Sequence, residues 1–159
     1  MNETKSLPEE TCRRGGARRA RDERGAIAVE FAFIAPILIL LVLGIIEFGF
    51  GYHAWDATQN AAREGARLGA VSPDVGEIEA RVRGTTSFLN QSNLQVTIEC
   101  GLTGGTFGSC PSPSSWDEGD IVRVTVDYHY GYITPLPNLV GMGTEMDMSS
   151  VAEARFEGQ

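Results

Sequence analysis

The stretch GAIAVEFAFIAPILILLVLGIIEF, residues Gly25–Phe48, decides how the whole chain is read. Within it, Phe31 to Ile46 is sixteen residues without a charge, twelve of them Phe, Ile, Leu or Val. At about −0.3 to −0.6 kcal/mol each, twelve such residues favour membrane insertion by roughly 4–7 kcal/mol. Glu30 at the edge of the block opposes this by at most ~3 kcal/mol. A bilayer span needs ~20 residues, and Ala26 to Ile46 supplies 21. The sequence therefore predicts a membrane-spanning helix.

The flanks orient it. Residues 1–25 carry seven basic and five acidic residues, and residues 26–159 carry six basic and sixteen acidic ones. Arg18, Arg19, Arg21 and Arg24 directly precede the apolar block, and no Lys or Arg follows it until Arg63. The positive-inside rule places the N-terminus in the cytoplasm and residues beyond about 50 outside. A body this acidic does not suit sequence-independent binding to nucleic-acid phosphates, so no nucleic acid is expected as a partner. A cleaved secretory signal would need a shorter apolar core and a small-residue site just past it; Glu47-Phe48-Gly49-Phe50 is a poor one. The pairs Arg13-Arg14 and Arg18-Arg19 have the form of a twin-arginine signal, but the chain has twelve Arg and one Lys, so arginine pairs are expected by chance.

Three blocks in order carry a more specific signal: Gly25-Ala-Ile-Ala-Val-Glu-Phe-Ala-Phe-Ile-Ala-Pro-Ile-Leu, then Gly44-Ile-Ile-Glu-Phe-Gly, then Gln59-Asn-Ala-Ala-Arg-Glu-Gly-Ala-Arg. A glycine ends the basic leader, and a lone acid follows five residues later, next to an aromatic. This resembles a type IV prepilin processing site, with Gly25, Ala26, Glu30 and Phe31 as its residues and cleavage after Gly25. Residues 24–70 as a whole resemble the TadE-like family, pilin-like proteins of the Tad (Flp-type) pilus and secretion system. The resemblance implies a prepilin peptidase, other pilins and an inner-membrane assembly platform as partners, besides the membrane itself. Glu30-Phe31 stands where the main Flp-type pilins have Glu-Tyr, and those pilins lack a sizeable outer domain. Both differences point to a minor pilin or pseudopilin.

Physics gives the same residues a use. A carboxylate beside hydrocarbon usually has a partner. Cleavage after Gly25 would create an amine on Ala26, four positions from Glu30 on one helix. Amine and carboxylate would then neutralise each other, within a subunit or between neighbours. Otherwise Glu30 snorkels to the headgroups. Pro36 removes one helix hydrogen bond and is expected to kink the span.

The helical pattern runs on to Ala70, and 45 residues at 1.5 Å per residue give about 67 Å. Ala57, Ala61, Gly65 and Gly69 recur every four residues as a small-residue face that lets another element approach closely. That element is either the chain's own sheet or a neighbouring subunit. Ser72 and Pro73 are expected to open a second helix over residues 74–89. Period-two alternation then predicts strands at Leu94–Cys100, Val122–Tyr130 and Glu145–Phe156. Residues 101–119 and 131–143 read as loops. Cys100 and Cys110 are expected to be bridged in an oxidising compartment, with Cys12 apart in the leader.

The expected fold is thus α+β and membrane-anchored: a long N-terminal transmembrane, pilin-like helix, a second short helix and a small three-stranded antiparallel sheet. Its parts are a basic cytoplasmic leader (1–25), a long helix (26–70, spanning at about 26–47) and a small extracytoplasmic domain (71–159). No nucleophile elbow, phosphate loop or zinc motif is present. His53 and His129 are isolated, the acidic run Asp117-Glu118-Gly119-Asp120 lacks a calcium-loop pattern, and neither a metal, another cofactor nor an enzymatic activity is expected. Two readings follow. One is a pilin-like structural subunit; the other is a permanently anchored single-pass protein displaying a binding or adhesion module.

Overall fold

The structure, a computed structural model, describes residues 16–101 and 105–158, with side chains from Gly25 onward. Cys12 and most of the leader lie outside the described residues. The chain divides into two units, Met1–Val42 and Leu43–Gln159. Helix α1, Gly16–Gly69, contributes to both.

From Phe31 to Val42 α1 is apolar on every side. Ile27, Val29, Phe31, Phe33, Ile34, Ile37 and Leu41 are all more than half exposed. Its apolar window is long enough to cross a membrane, and none of that window is buried. A helix hydrophobic all round that finds no protein cover is suited to lipid. Pro36 lies inside α1, which continues through it. The helix also extends through Gly25 rather than starting at Ala26.

The second unit packs the rest of α1 and a short helix α2 (Val75–Thr85) on one face of an antiparallel sheet. The strands are β1 (Leu94–Gly101), β2 (Gly108–Ser109), β3 (Ile121–Gly131) and β4 (Glu145–Arg155), in the order β2-β1-β3-β4. The sheet therefore has four strands where the alternation predicted three. The missed strand is two residues long and sits in a Gly- and Ser-rich segment, so it has no alternation to read. It is held at the edge because Glu99 pairs with Ser109 and Cys100 with Gly108, and the Cys100–Cys110 disulfide closes beside them. A covalent loop of this length stabilises by about 3 kcal/mol on the chain-entropy picture. Gly101 is required at the turn out of β1, since a Cβ there would lie 2.8 Å from the Thr106 carbonyl oxygen.

β3 is the central strand. Its register with β1 runs from Leu94↔Tyr128 to Gly101↔Ile121, and with β4 from Ile121↔Arg155 to Gly131↔Glu145. Val122, Val124, Val126, Tyr128 and Tyr130 all point to the buried face. They meet Ala54, Ala61, Ala62 and Ala66 of α1 and Ile78 and Val82 of α2. Each fully buried aliphatic side chain contributes about 1.5–3 kcal/mol. The opposite face is polar. There Arg123 donates to Glu153 at 2.8 Å and caps the Phe107 ring at 3.5 Å. Trp116 packs edge-on against Phe156 and closes one end of the core.

α2 is capped differently from expectation. Asp74, not Ser72, accepts from the Gly76 and Glu77 amides, and Ser72 instead donates to Glu77. The helix stops at Thr85: Thr86 leaves helical geometry at φ −103° and ψ 22°, while its amide and hydroxyl still donate to the Val82 carbonyl. Leu89 therefore packs on the core from beyond the helix rather than within it. The segment expected as a plain loop at 131–143 holds one further helical turn, α3 (Leu136–Leu139).

The small-residue face determines how close α1 comes to the sheet. A Cβ on Gly65 would lie 2.6 Å from Val82 Cγ2 and 3.2 Å from Val124 Cγ1, both on fully buried side chains. Gly65→Val should thus lower stability by about 1–3 kcal/mol through overpacking. Gly84 in α2 faces open space, so Gly84→Ala should raise stability by about 0.5–1 kcal/mol. Thermal unfolding of the detergent-solubilised full chain checks both, and equal effects at the two positions would contradict the close approach at Gly65.

Candidate functional site

Gly25, Ala26, Glu30 and Phe31 all lie within α1 and are exposed. A Cβ on Gly25 would meet nothing within 4 Å. Among the described residues Glu30 makes no hydrogen bond or ion pair. Ala57 and Ala61, by contrast, are buried in the second unit, and Gly65 and Gly69 rest on Val82, Ile78, Val122 and Val124. This face of α1 is used by the chain's own sheet and second helix. Just outside it, Glu64 accepts from Arg67 one turn on and from Arg81 of α2 at 2.7 Å. The Arg67 hydrogen bond, ahead of Arg81, holds the Glu64 carboxyl down at about 2.

The acid that the structure places at the centre of a polar site is Glu47, the first charge after the uncharged block. It is 9% exposed. Tyr130 at the end of β3 donates its hydroxyl to Oε1 at 2.9 Å. The Ile133 amide donates to the same oxygen at 3.1 Å, and the Thr134 amide donates to Oε2 at 2.7 Å. A carboxylate with three donors is stabilised in its charged form without a cation. Burial, reinforced by the Glu47 carboxylate, pushes the Tyr130 hydroxyl well above the ordinary tyrosine range, so it stays a donor. In the sequence Glu47 is only the acid that ends the uncharged block. Two of its three partners are backbone amides, which no residue type announces; Tyr130, ending a strand of alternating buried residues, is the one partner a sequence could suggest.

A second polar pair sits on the far face of the sheet. His129 Nδ1 lies 2.6 Å from Asp147 Oδ1 across the β3–β4 pair. The Asp147 hydrogen bond and charge raise the His129 pKa, with smaller contributions from Glu145 and Asp127. His53 is exposed and stacks on Phe88 at 4.8 Å. Among the described residues no three His, Cys, Asp or Glu side chains come together as a metal site. The Cys100–Cys110 bridge occupies the only two cysteines among the described residues.

Against known proteins, residues 25–67 match the family described as TadE-like protein. The match begins at Gly25 and ends at Arg67, before any strand. No curated protein and no solved structure matches the chain.

If the Glu47 hydrogen bonds hold the β3 end to α1, Glu47→Gln turns one acceptor into a donor facing the Thr134 amide. The expected loss is about 1.5–3 kcal/mol, read by thermal unfolding in detergent. Tyr130→Phe should lose less, and the double mutant should lose less than the sum of the two. Strict additivity would mean that the two groups do not interact. For the exposed pair, Asp147→Asn should move the His129 pKa back toward 6.5, with Glu145 and Asp127 retaining part of the shift, as followed by NMR of the imidazole. The pair's contribution is full below about pH 6.5 and fades as the pH rises through the raised value of the folded state. An unchanged His129 titration in Asp147→Asn would show that the contact does not perturb it.

Proposed function

From the match of residues 25–67 to the family described as TadE-like protein, we infer a pilin-like subunit, a minor pilin or pseudopilin, that helps assemble a Tad-type pilus or secretion apparatus. In this reading Ala26–Ile46 spans the inner membrane with the N-terminus cytoplasmic and the α+β domain outside. A prepilin peptidase cuts after Gly25. The assembly platform and other pilins are the partners, and the product is carried into a surface filament.

The observation that carries the proposal is Gly25. A glycine inside a helix costs about 0.5–1 kcal/mol relative to alanine. At Gly25 no neighbouring atom requires the missing side chain. A glycine with no packing reason, at the junction of a basic leader and an apolar helix, suits a protease cleft that admits an extended, unbranched residue. The Gly25–Ala26 bond lies within α1, so the first turns of the helix must unwind for cleavage. Its position near the start of α1 keeps that opening small, because helix ends fray before interiors.

The test is processing and its consequence. The intact mass of the mature protein should lack residues 1–25, and Gly25→Leu should retain them. Glu30→Ala should reach normal membrane levels yet disappear from sheared pilus fractions. Leaving a new Ala26 amine unpaired in an apolar filament core would cost on the order of 3–5 kcal/mol, which lowers incorporation by two or more orders of magnitude. A full-length mass in cells that make the peptidase, or normal incorporation of Glu30→Ala, would favour the permanently anchored display protein instead.

A further inference from the structure

We propose that residues 131–144, the β3–β4 connection, form a second membrane contact: an apolar plug seated among the lipid chains of the outer leaflet beside the end of the span. The segment reads GYITPLPNLVGMGT and contains no charged residue. Four of its large side chains point outward. Ile133 is 58%, Leu139 76%, Val140 61% and Met142 65% exposed. Apolar surface gathered this way on one segment marks an interaction site. Three observations identify lipid as the occupant.

The first is depth. Glu47 accepts from the Ile133 and Thr134 amides, which fixes the start of the connection at the end of the uncharged block. Leu136 reaches further back, with its Cδ2 3.7 Å from where a Cβ on Gly44 would sit. Gly44 belongs to the block itself, so α3 lies level with residues assigned to hydrocarbon. This step rests on the reading of Ala26–Ile46 as a bilayer span.

The second is the backbone. Lipid cannot satisfy amides, so a segment that enters it must pair them internally. The amide of Tyr132 donates to Thr144, those of Ile133 and Thr134 to Glu47, and those of Leu139, Val140, Gly141 and Met142 to carbonyls of residues 135–138. Pro135 and Pro137 have no amide hydrogen to satisfy. Seven of the eleven amides between Tyr132 and Thr144 are thus paired inside the protein.

The third is the surrounding surface. The connection and α1 enclose an open apolar groove of about 860 Å³, lined among others by Phe48, Tyr52, Trp55, Leu136, Val140 and Met142. Tyr52 and Trp55 stand on the α1 turns just past the block, at the level where aromatic side chains settle between headgroups and chains. Acyl chains match such a groove in shape and polarity. The domain would then be held to the membrane at two points, by the span and by the plug.

The test uses the full chain with Cys12→Ser and the disulfide intact, reconstituted into phosphatidylcholine–phosphatidylglycerol vesicles. Nitroxide labels are placed singly at Leu139→Cys and Met142→Cys, at Leu40→Cys as the span control, and at Ser114→Cys as the distal control. The labelled plug positions are exposed, so a label does not disturb the core. Labels at 139 and 142 should collide several-fold more with oxygen than with a water-soluble nickel reagent, as at 40, and opposite to 114. Nickel access at 139 and 142 with lipid exposure at 40 overturns the plug and leaves the span standing. Nickel access at 40 overturns the span, and the plug with it. Shielding of 139 and 142 from both reagents means a protein cover, such as a second subunit, and also overturns the proposal.

Discussion

A carboxylate directly after sixteen uncharged residues has to be satisfied, and Glu47 is satisfied by groups eighty or more residues away in sequence. That constraint organises the second unit. It fixes Tyr130 near the end of β3, and Ile133 and Thr134 just beyond it, against one turn of α1. With that end pinned, the alternation of β3 determines which side chains face the helix, and the ladders to β1 and β4 follow. At the other end the Glu64–Arg81 contact ties α2 to α1. This exposed pair adds little by itself, but it lies beside Gly65 and Gly69, where α1 packs closely on Ile78, Val82, Val122 and Val124.

The small-residue face then has a definite use. Ala54, Ala57, Ala61, Ala62 and Ala66 are buried in the domain's own core, and Gly65 has no room for another atom. A face spent on the sheet is not available to a neighbouring subunit. Contacts between subunits of a filament, on the proposed function, must use the other sides of α1: the apolar positions before Glu47 and the exposed flank with Arg63 and Arg67. The small residues position the outer domain on the helix, and the helix presents what remains.

How much of this was legible follows from where each signal resides. The apolar block, the strand alternation of β1, β3 and β4, and the four-residue spacing on α1 are periodic patterns, and periodicity is what side chains write into a sequence. β2 has two residues, too few for a period. Asp74 displaced Ser72 as the cap because both are good N-cap residues, and the choice depends on where the chain leaves α1. Glu47 was visible as the acid that ends the uncharged block, but its donors are mostly backbone amides, set by tertiary structure alone. The connection 131–143 reads as a loop because its prolines suppress any helical period, although one turn, Leu136–Leu139, forms across Pro137.

Glu30 and Glu47 bracket the uncharged block, and their surroundings differ in a way that separates their uses. Glu47 has its charge dispersed over three donors of its own domain, so it needs nothing from outside and can remain buried wherever the domain goes. Glu30 is exposed, and among the described residues nothing in the chain offsets it. In a bilayer it can lie at the headgroups at little cost. In any less polar setting its charge must be met by a group absent from the described structure, and the amine that cleavage after Gly25 would create is the one the chain can generate itself. The block is thus flanked by one acid that locks a domain in place and one without a partner among the described residues, an asymmetry that, on the proposed function, suits a subunit destined to leave the membrane better than one that remains there.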